Sequence, residues 1–357
     1  MPVISINGTR LHVASTGSGE DVVMVHGLAA NLAFWRLKIV PFLAAQYRIT
    51  AYDLRGHGRS AMPDKGYSPS NMVEDLKGVL DAGGIEAAHL VGHSFGGAVV
   101  MEFAARYPER VLTLTLADAT INSLQPLDQN RDWDYWHSWK KTLKGLGIDV
   151  PDKMPKVAFA LLEEIADPRW RKARQGWRKG RRRPPGEDFF VPFGLWNGAK
   201  RTAARWIKLL QTTDAWKELE SDGLDLDGIR RIAHPTLLMY GERSRWMRTC
   251  EALSEAMVNS RTVILPKVGH FFPLLNPTDF VLHLRQFLDC DHDLRAGMVS
   301  SRGAPSTAHD AAVEGVAPQE RSARPVADTE LAGKKTGPNP AARRRHEERR
   351  REGEDCG

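Results

Sequence analysis

The sequence predicts an α/β protein, a mostly parallel sheet with helices on both faces and a helical cap inserted along the chain. Three observations carry that expectation. From residue 1 to about Asp118, apolar strand-like runs alternate with helix-like segments, the order that a parallel sheet requires. Between 119 and 214 the strand rhythm vanishes, and it resumes beyond 215. A Gly-x-Ser-x-Gly turn also sits between one of the strands and the helix that follows it.

In chain order, Asp21–His26, Tyr47–Tyr52 and Ala88–Gly92 read as strands, with Asn71–Ala82 and Gly97–Tyr107 as helices between and after them. Val111–Ala117 is a further apolar run, interrupted by threonines, of the kind that a buried strand shows. The pattern returns at Thr236–Tyr240 and Thr262–Leu265 and closes with a helix over Pro277–Leu288. The segments 1–118 and 215–294 are therefore assigned to one core, and 119–214 to the cap. Residues 295–357 turn to Ala, Gly, Pro, Ser, Arg and Glu with almost no aromatics, a composition expected to remain disordered.

An apolar fraction of 42% over 357 residues is ample for a globular core. Three scattered cysteines, Cys250, Cys290 and Cys356, cannot staple a secreted disulfide fold, and they fit a reducing, cytoplasmic setting. The N-terminus lacks the basic start and apolar stretch of a signal peptide, and no apolar run approaches the roughly 18 residues of a membrane-spanning helix. The formal charge of +6 is modest, but basic residues cluster in the cap and at the far C-terminus.

The strongest chemical signal is Gly92-His-Ser94-Phe-Gly96-Gly97, after the strand that begins at Ala88. Glycines at 92 and 96 permit a tight strand-to-helix turn that lifts the Ser94 hydroxyl out of the sheet as a nucleophile. The strand Asp21–His26 ends in a His26-Gly27 turn, and the N–H groups of Leu28 and Phe95 form the natural pair of oxyanion donors. His26 itself reads as a turn-stabilising residue. A general base must come from late in the chain, and His270 lies in a loop after a strand end, where open α/β sheets place their ligands.

With His26-Gly27, Asp53-Leu-Arg55-Gly56-His57-Gly58-Arg59-Ser60, the Ser94 motif and Gly269-His270, the chain resembles the α/β-hydrolase superfamily over about its first 290 residues. That resemblance implies an eight-stranded, mostly parallel sheet with a lid after strand six, and it implies a bracing role for Asp53 and Arg55. Members commonly carry the triad acid three residues after the glycine ending strand seven, here Gly241, but that position holds Ser244. Some relatives place the acid directly after strand six, which makes Asp118 the candidate and Glu242 the alternative.

The expected reaction is hydrolysis of a carboxylic ester, thioester or lactone through an acyl-enzyme on Ser94. No cofactor is expected, since His57, His89 and His93 lack metal-ligand spacing and no dinucleotide or P-loop pattern is present. A cofactor-free dioxygenase of the same fold and a non-catalytic ligand-binding homologue are the rival expectations. Trp133, Trp136, Trp139, Trp170, Trp177, Trp196 and Trp206 favour an apolar or aromatic small-molecule acyl substrate, although such a stripe is also a packing face. The basic run Arg169–Arg183 could meet an acidic partner or be a solvated face; a nucleic-acid partner is not expected.

Overall fold

The computed structural model describes residues 3–125, 197–219, 221 and 223–302. Its strands are β1 Val3–Ile6, β2 Thr9–Thr16, β3 Glu20–Val25, β4 Tyr47–Tyr52, β5 Ala88–His93, β6 Val111–Ala117, β7 Thr236–Gly241 and β8 Ser260–Leu265. They form one eight-stranded sheet in the order β1-β2-β4-β3-β5-β6-β7-β8. β2 runs antiparallel to both of its neighbours and every other pairing is parallel. β1 turns into β2 through Asn7-Gly8, both at positive φ (45° and 67°), the signature of a two-residue hairpin.

The helices are α1 Ala33–Arg36, α2 Val40–Leu43, α3 Pro69–Ala82, α4 Phe95–Arg106, α5 Asn197–Thr212, α6 Ala215–Glu218, α7 Leu226–Arg230, α8 Met247–Ala256, α9 Phe272–Leu275 and α10 Pro277–Arg302. Alternation along the central strands explains why their sequences read as unbroken apolar runs. Val23 and Val25 of β3 and Leu238 and Tyr240 of β7 join the core with α3, α4 and α8. Val22, Met24, Leu237 and Met239 face the opposite core, with Trp35 of α1 and Phe280 and Leu284 of α10.

Three helix ends depart from expectation by two residues or more. α3 starts at Pro69 rather than Asn71, because Ser68 caps it by accepting the Asn71 N–H at 3.2 Å and proline suits the first helical position. α4 starts at Phe95 rather than Gly97, directly after Ser94. α10 runs to Arg302 rather than Leu288, so it also passes residue 294, where the core was expected to end. Phe280, Leu284 and Leu288 on this helix are fully buried.

β6 and β7 are adjacent in the sheet but separated by the insert expected to form the cap. Trp133, Trp136, Trp139, Trp170, Trp177 and Trp196, the basic run 169–183 and the chain beyond 302 lie outside the described residues. Trp206, on α5, is described and buried. Among the described residues no helix is long and apolar enough to cross a membrane.

Candidate active site

Ser94 occupies the single step between β5 and α4 at φ 54° and ψ −126°, a conformation that a non-glycine residue reaches only at a cost of about 1–3 kcal/mol. The flanking glycines make the turn possible by close approach. A Cβ on Gly92 would strike the Gly96 carbonyl, and one on Gly96 would lie 2.8 Å from the His26 carbonyl oxygen. The Ser94 N–H donates to the Ala117 carbonyl at 3.1 Å, tying the turn to the end of β6.

That tie places Asp118 beside Ser94, because β5 and β6 pair in register with His93 opposite Ala117. Asp118 is fully buried at φ 48°. Its Oδ1 accepts the His270 Nδ1–H at 3.0 Å and the Ser244 hydroxyl, and its Oδ2 accepts the Gly241 N–H at 3.1 Å. Facing it are Tyr240 and Cys250, both held neutral by burial, which pushes the Cys250 thiol up to about 12; the nearby Asp118 charge adds to both effects. His270, only 5% exposed, lies in the loop between β8 and α9. A Cβ on Gly241 would lie 2.9 Å from the Gly269 carbonyl, so β7 and the His270 loop meet through a residue without a side chain.

Ser94, Asp118 and His270 thus gather at the C-terminal ends of β5, β6 and β8. Glu242 does not join them: it is exposed, and its carboxylate accepts the Lys267 N–H at 2.6 Å in the turn where Lys267 adopts φ 62°. A Cβ on Gly27 would come within 2.8 Å of Ser94 Cβ, so the loop carrying Leu28 runs directly against the Ser94 turn. Phe95, as the first residue of α4, presents an N–H without an intrahelical acceptor. Among the described residues no group of three side chains is arranged to hold a metal ion.

The histidines beside the turn are braces. His26 donates from Nδ1 to its neighbour's carbonyl at Gly27 and accepts the Leu54 N–H on Nε2, and burial lowers its pKa. Burial, with the nearby His26, takes His57 down to about 3. Asp53 accepts the Leu32 and Arg59 N–H groups and the His12 Nδ1–H, while Arg55 pairs with the buried Asp75. Two contacts were not read from the sequence. His93 donates from Nε2 to the His270 carbonyl at 2.9 Å and stacks on Phe34, and Ser244 donates to Asp118. The unusual serine after Gly241 was the one sequence signal of the second contact.

Comparison with known proteins gives the same architecture. A 2-hydroxymuconate semialdehyde hydrolase of Pseudomonas sp. (strain CF600) is 28% identical over 289 residues, 79% of this chain and 91% of the relative. A thermophilic esterase from Thermogutta terrifontis superposes with a TM-score of 0.56 at 20% identity, covering 82% of this chain and all of that one. An N-acyl homoserine lactone degrading enzyme does so at 0.56 and 22%, covering 80% and 100%. At such identity the two structures show the fold. The family model for the α/β hydrolase fold matches residues 22–277, and the chain belongs to that family.

Proposed function

We propose that the protein is a serine hydrolase that cleaves a carboxylic ester, thioester or lactone through an acyl-enzyme on Ser94. The contact between His270 Nδ1 and the buried Asp118 carboxylate, at the end of the strand beside the Ser94 turn, is the observation that carries this reading. With Nδ1 engaged by Asp118, Nε2 is the ring nitrogen that takes the Ser94 proton as Oγ attacks the substrate carbonyl carbon. The Leu28 and Phe95 N–H groups receive the oxyanion. His270 returns the proton to the leaving alcohol or thiol, and water, activated by the same imidazole, releases the acid and restores Ser94. Asp118 stabilises the imidazolium that forms twice in this cycle.

The names of the relatives, a semialdehyde hydrolase, an esterase and a lactone-degrading enzyme, support hydrolysis and leave the three acyl classes to experiment. A panel of p-nitrophenyl esters, acyl thioesters and lactones, assayed with the parent chain and Ser94→Ala, tests the proposal. Turnover of at least one class that disappears in Ser94→Ala supports it. Turnover that survives the substitution overturns it, and oxygen uptake with aromatic substrates in place of hydrolysis would assign the His270–Asp118 pair to dioxygenase chemistry.

A further inference from the structure

A carboxylate that orients a histidine has to be oriented itself. One donor is fixed by the sheet: the Gly241 N–H on Oδ2 at 3.1 Å. The other neutral donor is the Ser244 hydroxyl, on the same Oδ1 that faces His270. The direction of that bond is set from the far side, since Ser244 Oγ already accepts the Trp246 N–H at 3.0 Å and so turns its single proton towards Asp118.

Ser244 is also fixed relative to His270. The turn from Gly241 closes through the Ser244 N–H on the Gly241 carbonyl at 2.8 Å. The same turn is strapped to the His270 loop by the Glu242 N–H on Leu265 O at 2.9 Å and the Arg243 N–H on Val268 O at 2.8 Å. Asp118, at the end of β6, and His270, beyond β8, thus meet across a turn that follows β7 and carries Ser244.

We infer that Ser244 is a positioning residue of the reaction, one that holds the Asp118 carboxylate with Oδ1 on His270 Nδ1 and acts on turnover through Asp118. It touches no reacting atom. The inference rests on the proposed roles of Ser94, His270 and Asp118. A hydrogen bond to a charged group is among the stronger ones in proteins, so its loss should lower kcat about tenfold while KM moves little.

The experiment uses the full chain, a p-nitrophenyl ester, and a fluorophosphonate probe to count active sites. Ser244→Ala and Ser244→Val should lower kcat per titrated site about tenfold, and Ser244→Thr, which matches valine in shape but keeps the hydroxyl, should restore most of it. In an Asp118→Ala background, Ser244→Ala should cost nothing further, because its route to the chemistry is gone. A serine that only supports the fold would lower the number of titrated sites and leave kcat per site alone, and that result overturns the inference. So do equal kcat values for the Thr and Val variants, which need only these two to fold, or losses that add in the double variant. If Asp118→Ala itself keeps full turnover, the acid assignment fails first and the inference falls with it.

Discussion

Lowering the pH should destabilise this protein through histidines that its core keeps neutral. His57 is held at about 3 by burial and by the adjacent His26, His93 well below its ordinary 6.5 by burial and by His270, and His26 is lowered by burial. Well above 6.5 neither the folded nor the unfolded chain binds protons at these rings to any extent, so they contribute no pH dependence there. Below 6.5 the unfolded chain takes them up and the folded one does not, until pH reaches the folded value, about 3 for His57. One unit below 6.5, a histidine held as low as His57 costs about 1.4 kcal/mol, out of a typical total of about 5–15, and His93 and His26 add in the same direction. Asp75, raised by burial, works in the opposite sense. Urea unfolding followed by tryptophan fluorescence at about pH 7.5 and 5.5 measures the difference, and His57→Asn should shrink it by about 1.4 kcal/mol. Equal stability at the two pH values, or a difference untouched in His57→Asn, would refute the argument.

Asp118→Asn should lower turnover by about 10⁴, the loss that follows when a buried triad acid gives up its charge, while Glu242→Gln, exposed and still able to accept the Lys267 N–H, should stay within about twofold. Steady-state kinetics in the reverse order would move the acid to Glu242. Gly96→Ala sets a methyl against the Val25 and His26 carbonyls, which are backbone and cannot step aside, so it should lower stability by at least about 2 kcal/mol in thermal unfolding. An unchanged melting temperature there would contradict the close approach at the turn. His93→Phe keeps the stack on Phe34 but leaves the His270 carbonyl without its donor, at an expected cost of about 1–3 kcal/mol in urea unfolding; parent-like stability would show that the bond contributes nothing.

What could be read from the sequence divides by the range of the interaction. Tyr47–Tyr52 and Val111–Ala117 were legible at their bounds because strands buried on both faces show as apolar runs whatever their neighbours. Two helix starts shifted by two residues: Ser68, polar and outside the apolar pattern, caps the first turn of α3, and α4 begins directly after the Ser94 turn. Ser94 was found from glycines at 92 and 96, within its own segment. Asp118 became a candidate only through the resemblance to relatives that place an acid after strand six, and the pairing of β5 with β6 puts it beside the same turn. The bond from Ser244 to Asp118 joins residues 126 apart and that from His93 to His270 residues 177 apart. Both depend on strand ends that come together only in the folded sheet: the serine in place of a carboxylate at 244 hinted at the first, and no local pattern announces the second. Apart from the buried Trp206, the tryptophans of the insert and the basic run carried expectations about substrate and partner that fall outside the described residues.

The acyl-enzyme mechanism requires Ser94 to form a covalent bond to the acyl carbon or its analogue. Intact-mass measurement after treatment with a fluorophosphonate, followed by peptide mapping, tests that bond directly. A single adduct is expected on the peptide containing Ser94, formed at a rate that collapses in His270→Ala and absent in Ser94→Ala. An adduct on another residue, or a Ser94 that stays unmodified while the enzyme turns over an ester, would contradict it.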